Sequence, residues 1–140
     1  MIIGIISGYF NPLHLGHIEY IQEAKKQCEH LVVIVNNDKQ VELKGSKKFM
    51  DEQHRMKLIH NIKGVDDVFL SIDEDKSVCK SLLCVATSFN RNYEIRFFNS
   101  GDRKGNNINN AEYFLCEELG IEYIFIDKPK IYSSSELLAH

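Results

Sequence analysis

Five short apolar runs, each followed by an amphipathic stretch, constrain this chain more than any other feature. Ile2–Ile6, Leu31–Val35, Val65–Ile72, Glu94–Phe98 and Ile121–Ile126 read as strands. The first two are apolar at nearly every position, as in strands buried on both faces. Between them, His17 to Cys28 carries Ile18, Ile21 and Ala24 on one helical face and charges elsewhere. Asp51 is placed to cap a helix bearing Met56, Ile59 and Ile62 that stops near Gly64. Ser77–Phe89 reads as a further helix, and Asn109 or Asn110 opens one that Gly120 ends. A short helix begins at Ser133–Ser135, and Lys39 to Lys48 reads as a polar, lysine-rich loop.

Strands alternating with helices predict a parallel sheet with right-handed crossovers, an α/β fold of the Rossmann-like three-layer α/β/α kind. The 140 residues suit one domain, 1–140, with no linker, repeat or break in composition. A net charge of −3 argues against a nucleic-acid partner. No apolar run reaches the ~18 residues of a membrane span, and the N-terminal run lacks the basic start of a signal peptide. A cytoplasmic location is therefore expected. Cys28, Cys79, Cys84 and Cys116 form no CxxC pair and lie in apolar-periodic stretches, so they read as small buried hydrophobes rather than metal ligands or redox groups.

In open parallel sheets, ligands bind beyond the carboxyl ends of the strands. That rule directs attention to Ser7–His17, Asn36–Lys48, Asn99–Lys104 and Lys128–Ser135. In the first of these, His14 and His17 lie three residues apart at a helix start, with Gly16 between them. At that spacing both imidazoles lean to one side. Helix-start N–H groups favour an anion there, and Gly16 lets a ligand approach the backbone. Imidazole N–H groups stabilise charge growing around phosphorus. These residues read as a polyphosphate cradle without a Walker lysine. Lys44, Lys47 and Lys48 form a positive cluster in an acidic chain, as an incoming phosphate beside a triphosphate requires. Lys48 reads as a solvated surface lysine, as do Glu112, Glu117 and Glu118 for a helix face.

With these residues in place, the chain resembles the nucleotidyltransferase superfamily of the cytidylyltransferase type. His14-Leu15-Gly16-His17 matches its HxGH box, and Gly8 to Leu13 matches the residues preceding it. Ile131 to Ser135 matches its ISSxxx box. Lys44 to Arg55 is similar to a stretch of glycerol-3-phosphate cytidylyltransferases. The resemblance implies transfer of CMP from CTP to a small phosphorylated alcohol or sugar phosphate, with pyrophosphate released. The alternatives are transfer from ATP to a phosphorylated acceptor and an inactive nucleotide-binding module. It implies catalytic roles for His14, His17 and Lys44. It implies nucleotide binding by Gly8, Tyr9, Phe10, Asn11, Gly16, Asp102, Arg103, Ser133, Ser134 and Ser135, and substrate binding by Lys47 and Arg55. Mg2+ would ride on the phosphates with no dedicated protein ligand set, and two copies would pair as a homodimer. The chain also departs from the pattern. Asn11 stands where cytidylyltransferases have Asp, so that Phe10-Asn11-Pro12 also resembles the adenylyltransferase branch. Tyr9 replaces a Thr or Ser, and Asp127-Lys128-Pro129-Lys130 stands where an RTEG stretch belongs.

Overall fold

The computed structural model describes residues 1–100 and 111–126. Over these residues the chain runs β1 (Ile2–Gly8), α1 (Leu15–Lys26), β2 (His30–Val35), α2 (Asp38–Lys44), α3 (Glu52–His60), β3 (Asp67–Leu70), α4 (Cys79–Thr87), β4 (Glu94–Asn99), α5 (Ala111–Leu119) and β5 (Glu122–Phe125). The strands form one parallel sheet in the order β3-β2-β1-β4-β5. After β3 the chain returns to the far side of β1, so β1 has β2 on one flank and β4 on the other. The direction of winding reverses between β1 and β4. Their carboxyl ends, Gly8 and Asn99, border the crevice where such sheets take ligands.

Alternation along the strands divides the core in two. Ile3 and Ile5 of β1 join Val32, Ile34, Leu82, Val85, Phe97 and Cys116 on the side covered by α4 and α5. Ile6 joins Val33, Val35, Tyr20, Ile21, Ala24, Ile59 and Phe98 on the side covered by α1 and α3. Two packed faces of one sheet make the expected three layers. The buried Tyr20 hydroxyl donates to the Phe98 carbonyl at 2.6 Å, tying α1 to β4 across the second face.

Several local expectations are corrected. Lys39 to Lys44 is helical rather than loop, because Asn37 and Gln40 form a reciprocal capping box. Asn37 Oδ1 accepts the Gln40 N–H at 2.9 Å, and Gln40 Oε1 accepts the Asn37 N–H at 3.0 Å. Gly45, at φ 79°, ends the helix in the left-handed region that glycine adopts freely. The helix after β1 starts at Leu15 rather than His17, and β3 is shorter than Val65–Ile72. The helix expected over Ser77–Phe89 runs from Cys79 to Thr87, and its first turn is capped from upstream by Asp73. The Asp73 carboxylate accepts the N–H groups of Lys80 and Ser81 at 2.8 and 2.9 Å. Of the cysteines, Cys116 is buried and its thiol is pushed up to about 12 by that burial, whereas Cys84 is exposed, contrary to expectation. The helix starts expected at Asn109 or Asn110 and at Ser133 lie outside the described residues. Among the described helices none is long and apolar enough to cross a membrane.

Candidate active site

The paired histidines lie where β1 gives way to α1. His14 is the N-cap of α1, and its Nδ1 accepts the Gly16 N–H at 3.0 Å. His17 Nδ1 accepts the His14 N–H at 3.2 Å. A neutral imidazole has one donor and one acceptor nitrogen. With each Nδ1 accepting from the main chain, the proton of each neutral ring is assigned to Nε2. The two rings stack at 3.8 Å between centroids and 26° between planes. The i, i+3 spacing thus does bring both imidazoles to one side of the helix start. Helix capping fixes the tautomer of both stacked rings so that each carries its N–H at Nε2, the kind of group a phosphate oxygen accepts from.

Phe10 braces this pair. Its ring meets His17 edge-on at 5.1 Å and is buried, with 1% exposure. The far end of the ring also lies against Gly8, where a Cβ would come within 2.7 Å of its Cζ. Gly8 therefore matters as a residue with no side chain. Phe10 has φ 51°, a left-handed conformation costing a non-glycine residue on the order of 1 kcal/mol or more. Ring burial holds it there. The expected nucleotide contacts of Gly8 and Phe10 thus rest on main-chain groups, since one has no side chain and the other buries its ring.

Asn11 joins this loop to the lysine segment. Its Nδ2 donates to the Lys47 carbonyl at 2.7 Å, while its Oδ1 accepts the Phe49 N–H at 2.8 Å. An amide can both donate and accept here, whereas a carboxylate can only accept. The side chain expected to line the nucleotide is engaged in holding residues 47–49. Replacing Asn11 with Asp is expected to set two oxygens against each other at Lys47. It should cost about 1 kcal/mol and speed tryptic cleavage after Lys47 and Lys48, as read by limited proteolysis. Unchanged cleavage would show that the latch does not hold this segment.

The three lysines have different partners. Lys44 Nζ stands 4.3 Å from the Tyr9 ring centroid, and Lys47 Nζ stands 5.5 Å from that of Phe49. Lys48 Nζ lies 3.7 Å from the Asp38 carboxylate. Partial burial, and secondly the Glu112 carboxylate, push the Tyr9 phenol above its ordinary range. Glu112 is not simply a solvated face residue, because its Oε2 accepts the Val78 N–H at 3.0 Å.

Arg55 is placed differently from expectation. It was expected to bind substrate phosphate, but its side chain is fully buried. Nη1 donates to the carbonyls of Tyr9 at 2.8 Å and Asn36 at 2.6 Å. Nε donates to the Met50 carbonyl at 3.1 Å, and Nη2 pairs with Asp38 at 2.8 Å. Four protein acceptors meet four of the five guanidinium N–H groups. Arg55 thus pins the loops after β1 and β2 and the start of α3 together. Asn36 and Asp38 fall within the Asn36–Lys48 segment that its position after a strand singles out, but sequence reasoning gave neither a role of its own. Asp102, Arg103, Ser133, Ser134 and Ser135 lie outside the described residues.

The chain is similar to several known proteins. The chain is 37% identical over 75 residues to an FAD synthase of Thermoplasma acidophilum, covering 54% of this chain and 53% of that protein. It is 38% identical over 71 residues to an FAD synthase of Ferroglobus placidus, covering 51% of this chain and 46% of that one. The chain thus spans about half the length of the curated relatives it matches. The solved structure of a lipopolysaccharide core biosynthesis protein from Thermoplasma volcanium superposes with a TM-score of 0.70 at 29% identity, covering 93% of this chain and 99% of that one. A bifunctional NMN adenylyltransferase/ADP ribose pyrophosphatase from Francisella tularensis shares the fold, with a TM-score of 0.67 at 15% identity over 96% of this chain and 40% of that one. A family model described as cytidylyltransferase-like matches residues 5–137, taking in the carboxyl half of β1, the imidazole pair and every later described strand, and the chain belongs to that family.

Proposed function

We propose that this protein transfers an AMP moiety from ATP to a small phosphorylated acceptor and releases pyrophosphate. An acceptor phosphate oxygen attacks the α-phosphorus of ATP. The bond from that phosphorus to the bridging oxygen breaks, and pyrophosphate leaves with the electron pair. Such a transfer asks for alignment and charge stabilisation rather than covalent help from the protein. The observation that carries this reading is the stacked imidazole pair at the helix start, with each Nδ1 committed to the main chain. Two Nε2–H donors at a helix N-terminus suit oxygens that gain negative charge as the bond breaks. Lys44 and Lys47 add positive charge held against rings, with no carboxylate ion pair to either among the described residues.

The preference for CTP expected from the lysine segment and the C-terminal serines gives way to ATP. The matched relatives are named for FAD, a product that contains an adenosine phosphate. The resemblance of Phe10-Asn11-Pro12 to the adenylyltransferase branch agrees. Flavin mononucleotide is accordingly the first acceptor to test, followed by glycerol, sugar and amino-alcohol phosphates. The described side chains His14, His17, Lys44 and Lys47 are N–H donors and suit phosphate oxygens rather than a cation. Mg2+ is proposed to enter with the nucleotide, held by its phosphates, and no step above runs through it. A homodimer belongs to the same proposal, on resemblance alone.

Measuring pyrophosphate released from ATP and from CTP with each acceptor tests this reading. ATP with at least one acceptor is expected to exceed CTP by ~10-fold or more in kcat/KM, about 1.4 kcal/mol of discrimination. Equal or better turnover of CTP overturns the base assignment, and no turnover with any pair overturns the activity.

A further inference from the structure

We propose that the face of the Tyr9 ring positions the Lys44 ammonium at the mouth of β1, holding it close until a triphosphate draws it away. This deepens the reading above and rests on it.

The three neighbouring lysines provide the contrast. Lys48 faces the Asp38 carboxylate, which offsets its charge, whereas Lys44 faces a π surface. A ring attracts an ammonium through its quadrupole without carrying a counter-charge. Because Lys44 itself is exposed, the attraction amounts to a ~2–5-fold bias, which a polyphosphate readily outcompetes. A lysine held this way is aligned at rest and available on demand.

Both partners sit on fixed backbone. The Tyr9 carbonyl accepts from Arg55 Nη1 at 2.8 Å, and the next residue, Phe10, is buried at φ 51°. Lys44 is the last residue of α2, and Gly45 turns the chain away at φ 79° with its N–H bonded to the Glu42 carbonyl. The 4.3 Å separation therefore joins two anchored residues. Burial keeps the phenol in its neutral form, so the ring remains a π surface and does not become a phenolate partner. A Thr or Ser at position 9 offers no such face. Tyr9 acts here through Lys44 and is a positioning residue.

The test combines lysine-selective NMR with turnover. In the wild type and in Tyr9→Phe, the Lys44 side-chain resonances should be shifted upfield by the ring current, and Tyr9→Leu should abolish the shift. Titrating ATP into the wild type should move the same resonances toward their unshifted positions. In turnover, Tyr9→Leu should fall about fivefold below Tyr9→Phe. Combined with Lys44→Met, it should fall no further than Lys44→Met alone. Tyr9→Met replaces Tyr9→Leu if the latter does not fold. Equal turnover of the Phe and Leu variants overturns the proposal, as does a Lys44 shift that survives removal of the ring. If the wild type releases no pyrophosphate with any substrate pair, the nucleotidyl-transfer reading fails. The ring-current measurement then still decides whether Tyr9 holds Lys44.

Discussion

Replacing His17 with alanine is expected to lower the rate of pyrophosphate release by about two to four orders of magnitude. The fold should persist. The substitution removes one Nε2–H donor, the acceptor of the His14 N–H and an edge contact to Phe10. The His14 cap to Gly16 remains. One lost hydrogen bond at a helix start costs about 1 kcal/mol, too little to unfold the domain. His14→Ala is a less clean probe because it also removes the N-cap itself. Steady-state kinetics beside a thermal melt separate the two effects. A His17→Ala protein that works within tenfold of wild type has no need of the second imidazole, and the proposed cradle then fails.

The second large effect is on stability. Arg55→Met is expected to lower the free energy of unfolding by about 3–5 kcal/mol in a urea titration, the usual cost of removing one member of a buried ion pair. The loss leaves Asp38 without its guanidinium and removes the donor from the carbonyls of Tyr9, Asn36 and Met50. Water reaches the Asp38 side chain, which is 25% exposed, so the lower half of that range is favoured. Arg55→Lys should recover only part, since one ammonium lacks the planar fork that meets acceptors on several sides. A variant within about 1 kcal/mol of wild type would mean that Arg55 does not organise these loops.

The two predictions differ in how far the sequence reveals their basis. The strands and the helices packed on them were legible because burial imposes a period on apolar residues. The histidine pair was legible because its position after the first buried strand follows from that pattern. The helix Asp38–Lys44 was not, since only Gln40 and Val41 are buried and no stripe of apolar residues marks it. Its signal was the Asn37–Gln40 cap, which reads equally well as a turn. Arg55 was misread for a different reason. An arginine beside a lysine-rich segment has the right chemistry for phosphate, and nothing local shows that it is buried. Its partners are main-chain carbonyls 46 and 19 residues away, brought to it only when the sheet assembles. Asn11 shows the same limit, because its partners lie 36 and 38 residues along the chain.

Three of the four acceptors around Arg55 are peptide oxygens, and every residue type supplies one. The anchor is therefore indifferent to which side chains stand at positions 9, 36 and 50, and asks only that Arg55 and Asp38 be kept. Position 9 can vary without removing the carbonyl that Arg55 holds, whereas Asn36 is itself buried with its amide donating to Gln40 Oε1. A tyrosine at position 9 is the kind of novelty such an arrangement tolerates, and altered substrate preference could evolve there with little loss of folding free energy.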